Sequence, residues 1–151
     1  MAGALAVGGF AGALVAHDRT EASDLTRAAS ARWTYGEAVA VATSVLPPVG
    51  AQDQNGSACH VMGRVRCWTI NGDVRVLGSE LSGKLGAATG LTPEVTWRYT
   101  DPRATGDAGI RTSVVTSGYR IQVEILSMWA CQNASAGPTG EQSITITVNP
   151  A

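Results

Sequence analysis

The hydrophobic period of this chain changes at Gly90, and no other feature constrains its fold as much. Beyond that residue apolar and polar side chains alternate. Val95, Trp97 and Tyr99 alternate with Thr96 and Arg98; Tyr119, Ile121, Val123 and Ile125 with Arg120, Gln122 and Glu124; Ile144, Ile146 and Val148 with Thr145 and Thr147. Successive strand side chains point to opposite faces, so this pattern marks strands with one face buried and one wet, as in antiparallel sheets. Ile110 to Thr116 reads as a further strand, joined to the Tyr119 strand by Ser117-Gly118. Ile121, Val123, Ile125, Ile144 and Ile146 should therefore share a buried face, with Arg120, Gln122 and Glu124 toward water. A register slip of one residue would invert every one of them.

Just before Gly90 the period is helical. Val74, Leu77, Leu81, Leu85 and Ala88 recur at three- and four-residue spacing, one apolar stripe of an amphipathic helix. Asn71-Gly72 is a turn signal, Asp73 suits the N-cap, and Gly90 suits the C-terminal stop. Gly78, Gly83 and Gly86 weaken this helix in isolation by roughly 1 kcal/mol each, so packing on a sheet must hold it.

The N-terminal third is different. Residues 2–16, AGALAVGGFAGALVA, carry no charged side chain. Three readings stay open: a membrane anchor or uncleaved signal, a cleaved signal peptide, and a buried helix. A spanning helix usually takes about 20 apolar residues, and a signal peptide usually carries a positive n-region. From His17-Asp18-Arg19 to Leu46 the text is helical, with Leu25, Ala28, Tyr35, Val39, Ala42 and Leu46 on one face and Arg32 the exception. Pro47-Pro48 stop it, and the polar stretch 49–57 reads as a linker. The expected organisation is an N-terminal apolar and amphipathic helical arm over residues 1–48, then an antiparallel α+β body over residues 58–151 with one helix on a face of the sheet.

Cys59 and Cys67 sit symmetrically about Gly63. A three-residue loop of Met62, Gly63 and Arg64 would set Val61 against Val65 and Cys59 against Cys67, within disulfide range. The expected bond is Cys59–Cys67, leaving Cys131 free; a bridge to Cys131 is the rival, and three buried thiols are the third option.

Catalytic chemistry is hard to find. His17 and His60 are the two histidines. His60 adjoins Cys59, but neighbours on a strand face opposite ways, and the spacing from Cys59 to Cys67 matches no structural zinc motif. Asp101 and Asp107 share a Gly-containing loop and read as turn residues rather than a calcium site. Trp68, Trp97 and Trp129 lie in strand text and read as core or sheet-face residues. The net charge of −1 leaves no basic footprint for nucleic acid or an anionic membrane. No catalytic, cofactor-binding or metal residue is assigned, and no cofactor or nucleic-acid partner is expected.

The expected function is a membrane-anchored or exported, non-enzymatic accessory or binding domain. It would act in the cell envelope or outside the cell, with residues 2–16 meeting a membrane or like subunits. The alternative is a self-assembling structural subunit. An apolar helix running into an amphipathic one and then a small disulfide-bearing sheet domain resembles the general plan of pilins and pseudopilins. The resemblance is of plan alone, since Leu5 stands where a mature type IV pilin carries an acidic residue.

Overall fold

The computed structural model describes residues 32–54, 59, 63–101, 106–127 and 139–151. Six strands form one antiparallel sheet: β1 (Gln52–Asp53), β2 (Arg64–Asn71), β3 (Glu94–Asp101), β4 (Gly106–Val115), β5 (Tyr119–Ser127) and β6 (Glu141–Pro150). Their order across the sheet is β1-β2-β6-β5-β4-β3. Among the described residues two helices, α1 (Tyr35–Ser44) and α2 (Val74–Thr89), pack on one face, α2 over β4 and β5 and α1 over β6 and β2. The class is α+β.

The register explains the core. Ile121 lies opposite Val148, Val123 opposite Ile146 and Ile125 opposite Ile144, so six β-branched side chains stand in cross-strand pairs on one face. All six are buried, together with Ile110 and Val114 from β4 and Trp68 from β2. From the helix side come Val74, Leu77, Leu81 and Leu85. Asp73 caps α2, its Oδ1 accepting from Arg75 N at 2.7 Å, and Gly90 ends the helix at φ 67°, a left-handed conformation that glycine adopts without strain.

The first helix differs from its sequence reading. It starts only at Tyr35, because Thr34 and Glu37 form a capping box. Thr34 N donates to Glu37 Oε2 at 2.7 Å, and Glu37 N donates to Thr34 Oγ1 at 3.3 Å. That reciprocal pair fixes a helix start, so Arg32 to Thr34 are not helical. The buried stripe is Ala38 and Ala42 followed by Val45, while Tyr35 and Leu46 are 50% and 70% exposed. Small residues let α1 lie close on the sheet, which the bulkier stripe proposed from the sequence would not. Ala38, Ala42 and Val45 join the same hydrophobic cluster as the sheet and α2. Part of the expected linker is also sheet, since Gln52 pairs with Thr69 and Asp53 with Trp68. Residues 1–31, including the apolar run 2–16, lie outside the described residues.

The capping box titrates. The Thr34 backbone N–H and hydroxyl hold the Glu37 carboxyl below its usual range. A lowered folded-state value means the cap is in place above the ordinary glutamate pKa and lost as pH falls through the depressed one. Amide exchange of Glu37 and Ala38, corrected for intrinsic rates, should therefore accelerate only once pH has fallen below the ordinary glutamate range. Glu37→Gln should remove that acid-dependent acceleration; an unchanged pH profile in the variant would count against the box.

Candidate binding surfaces and the disulfide

The structure bonds Cys59 to Cys67, with a Cα–Cα distance of 5.8 Å. The setting is not the symmetrical hairpin expected from the sequence. The backbone place beside Cys67 on the free side of β2 belongs to Gln54, whose N–H donates to Cys67 O at 2.9 Å. Cys59 itself is not in a strand, and residues 60–62 lie outside the described residues. Gly63 turns the chain into β2 at φ 82°, with its O accepting from Val148 N at 2.8 Å. Trp68 points into the core, so its neighbour Cys67 points to the face away from the helices. The bond therefore clasps the segment carrying Cys59 onto that outer face. Both cysteines are buried. Closing a loop of eight residues' separation restricts the unfolded chain by about 2.5 kcal/mol. Cys131, Trp129, His17 and His60 lie outside the described residues.

The outer face carries a second grouping, at the β3 side. Trp97 and Tyr99, two apart on β3, stack with centroids 6.1 Å apart and planes 10° apart. The Arg111 guanidinium lies 5.3 Å from the Trp97 ring centroid and donates through Nε and Nη2 to Glu124 Oε2 at 3.2 and 3.1 Å. Register creates this row, since Trp97 lies opposite Arg111 and Arg111 opposite Glu124. Gly109 makes room for it: a Cβ there would fall 2.8 Å from Trp97 Cζ3 and 3.0 Å from Leu126 Cδ2. The same outer face presents Gln122, Thr145 and Ser143 along β5 and β6. On this face Arg111 pairs with Glu124, and Glu94 and Arg120 also stand on it. On the opposite, helix-side face of β3, Arg98 Nη1 donates to Asp107 Oδ2 at 3.0 Å and Thr100 Oγ1 donates to Asp107 Oδ1 at 3.1 Å. Asp107, weighed above beside Asp101, is thus a cross-strand partner. The surface is aromatic at one edge, hydroxyl- and amide-rich in the middle and close to neutral. Such a surface suits a neutral, hydrogen-bonding ligand or polar protein partner.

On the helix side, α2 leaves β3 uncovered. A groove of about 630 Å³ runs between them, with Val95, Arg98 and Ile110 on the sheet side and Gly78, Ser82 and Gly83 on the helix side. Val95 is 48% exposed. Two of the three helix glycines have packing reasons. A Cβ on Gly78 would meet Ile110 Cδ1 at 3.0 Å, and one on Gly86 would meet Pro93 Cδ at 3.2 Å. Gly83 has none, with nothing within 4 Å of an added Cβ. It costs the helix roughly 1 kcal/mol relative to alanine, with no close contact to a described residue in return.

Among the described residues no group of three or more His, Cys, Asp or Glu side chains is placed to hold a metal ion, and no helix is long and apolar enough to cross a membrane. Sequence reading missed the Trp97–Arg111–Glu124 row. The alternation around Trp97 was visible, but the partners lie 13 to 14 positions apart and only register joins them. No family model, curated protein or solved structure matches the chain.

Proposed function

We propose that this protein is a non-enzymatic binding or accessory domain that works in the cell envelope or outside the cell, held there by its N-terminal apolar segment. The Cys59–Cys67 disulfide carries the reading, because such bonds persist in oxidising compartments and are rare in the cytosol. The uncharged run 2–16 ahead of the folded body supports it. The outer face supports a binding role, since it displays the Trp97–Tyr99 pair beside uncharged polar side chains.

Deleting residues 1–16 is the test. The full chain should sediment with membranes and the truncated chain should be soluble, with its cooperative thermal transition retained. Thiol alkylation in intact cells should leave Cys59 and Cys67 unmodified until a reductant is added. Free thiols at both positions, or a truncated chain that still sediments with membranes, would overturn the proposal. A second reading, a self-assembling subunit on the pilin-like plan with its N-terminal helix in a filament core, is favoured by the uncovered groove between α2 and β3. It requires the full chain to sediment as assemblies that detergent does not disperse to a monomer.

A further inference from the structure

We propose that the groove between α2 and β3 is a binding site for a single-chain anionic amphiphile, a carboxylate head on a hydrocarbon tail. The groove lies on the helix side of the sheet, away from the aromatic row, so it is a second site. The proposal stands whether or not the chain is exported.

The two ends of the groove differ in chemistry. Two contacts fix its long axis. A Cβ on Gly78 would meet Ile110 Cδ1 at 3.0 Å, and one on Gly86 would meet Pro93 Cδ at 3.2 Å. Ile110 lies opposite Arg98 on β3, and Arg75 precedes Gly78 by about one helical turn. Both arginines line the groove, so they share the end where α2 begins. Leu91, Pro93 and Val95 line the other end. From Gly78 to Gly86 the helix rises about 12 Å, and Arg75 adds roughly 4.5 Å. That length suits a hydrocarbon chain of medium length lying along β3.

The middle of the groove is open and its floor is apolar. Ser82 and Gly83 form the helix wall there, and nothing lies within 4 Å of a Cβ added at Gly83. Gly83 keeps the channel clear, which gives its cost to the helix a reason. Val95 on the sheet side is left half exposed, and a tail laid on it would remove apolar surface from water. The volume of about 630 Å³ falls within the range of small-molecule sites.

Charge decides the head. Two arginines and no acid line the groove. Each arginine has an acid near it. Arg98 donates to Asp107 Oδ2 through Nη1, one of the five N–H donors an arginine carries. Arg75 Nε stands 3.8 Å from Asp73 Oδ1, beyond hydrogen-bond distance. Both guanidiniums therefore keep donors for a carboxylate, which their planar forks match. A cationic head would meet two like charges instead.

The test is photolabelling of the full-length chain, in whichever fraction holds it, with dodecanoate carrying a diazirine on its tail. The same tail on a primary amine is the comparison probe. The carboxylate should label peptides within residues 78–98, about tenfold more than the amine does. Gly83→Leu should leave the thermal midpoint unlowered, since leucine is the better helix former, and cut labelling about tenfold by filling the channel. Arg75→Gln changes a side chain that is 57% exposed, so folding should survive, and labelling by the carboxylate should fall about fivefold. Equal labelling by acid and amine, labelling confined to other parts of the chain, or labelling indifferent to Gly83→Leu and Arg75→Gln would each overturn the proposal. None of these outcomes bears on the disulfide or on where the protein resides.

Discussion

Leu81→Ala is expected to lower the unfolding free energy by about 4 kcal/mol, near the upper part of the range for leucine truncation in a well-packed core. Leu81 is completely buried, at the middle of the α2 stripe, between Leu77 and Leu85 and over the sheet. α2 is also a poor helix by itself, since three of its sixteen residues are glycine. Its stability is therefore almost wholly tertiary, and a cavity under its centre cannot be relieved by the helix holding its own shape. A hydroxyl contact, Ser82 Oγ to Thr112 Oγ1 at 3.4 Å, ties its middle to β4 by a polar link. For a domain of this size the loss corresponds to roughly 12 °C in Tm. Chemical denaturation with an unchanged m-value would measure it; a loss under about 1.5 kcal/mol would mean that the site collapses around the smaller side chain.

Gln142→Leu is expected to cost about 3 kcal/mol, although it replaces a polar side chain by an apolar one in a buried position. Gln142 is fully buried at the start of β6. Its Oε1 accepts from Ser127 Oγ at 2.8 Å, and its Nε2 donates to Gly72 O at 3.1 Å and Gly140 O at 3.0 Å. One side chain thus ties the end of β5, the turn before α2 and the approach to β6. Leucine would leave the buried Ser127 hydroxyl without its acceptor and take away a donor from two carbonyls; each orphaned buried group costs about 1–3 kcal/mol. Adding Ser127→Ala should recover part of the loss, because both partners of one bond are then apolar. A double-mutant cycle with coupling of about 1 kcal/mol would measure that bond, and strict additivity of the two changes would show that the pair is not linked.

Much of the fold was legible in the text because periodicity reports burial directly. The alternation around Ile121, Val123, Ile125, Ile144 and Ile146 placed all five on the buried face, as found. The Val74 to Leu85 stripe, the Asp73 cap and the Gly90 stop placed α2 nearly to the residue. Short-range signals of this kind are fixed by backbone geometry and need no knowledge of neighbours. The first helix was misread for a related reason. The stripe read from the sequence is right at Ala42, which is buried, but its members Tyr35 and Leu46 are exposed, because the close seat on the sheet selects Ala38 and Ala42 and the Thr34-x-x-Glu37 box starts the helix at Tyr35.

What the sequence by itself determined is the set of local elements and which face of each is apolar. What only the tertiary structure decided is adjacency. The pairing of β4 with both β3 and β5 puts Trp97, Arg111 and Glu124 in one row, and the order β1-β2-β6-β5-β4-β3 leaves β3 at the edge, clear of α2. The three glycines of α2 look alike as text, yet one packs on Ile110, one on Pro93 and one on nothing. Gln142 reads as an intrusion into an apolar alternation until Ser127, Gly72 and Gly140 arrive around it. Ser127 and Gly72 are distant from Gln142 along the chain, as Ile110 is from Gly78, so no local pattern encodes them. They are chosen by which strand pairings and helix seats together bury the apolar faces while satisfying the polar groups that go in with them.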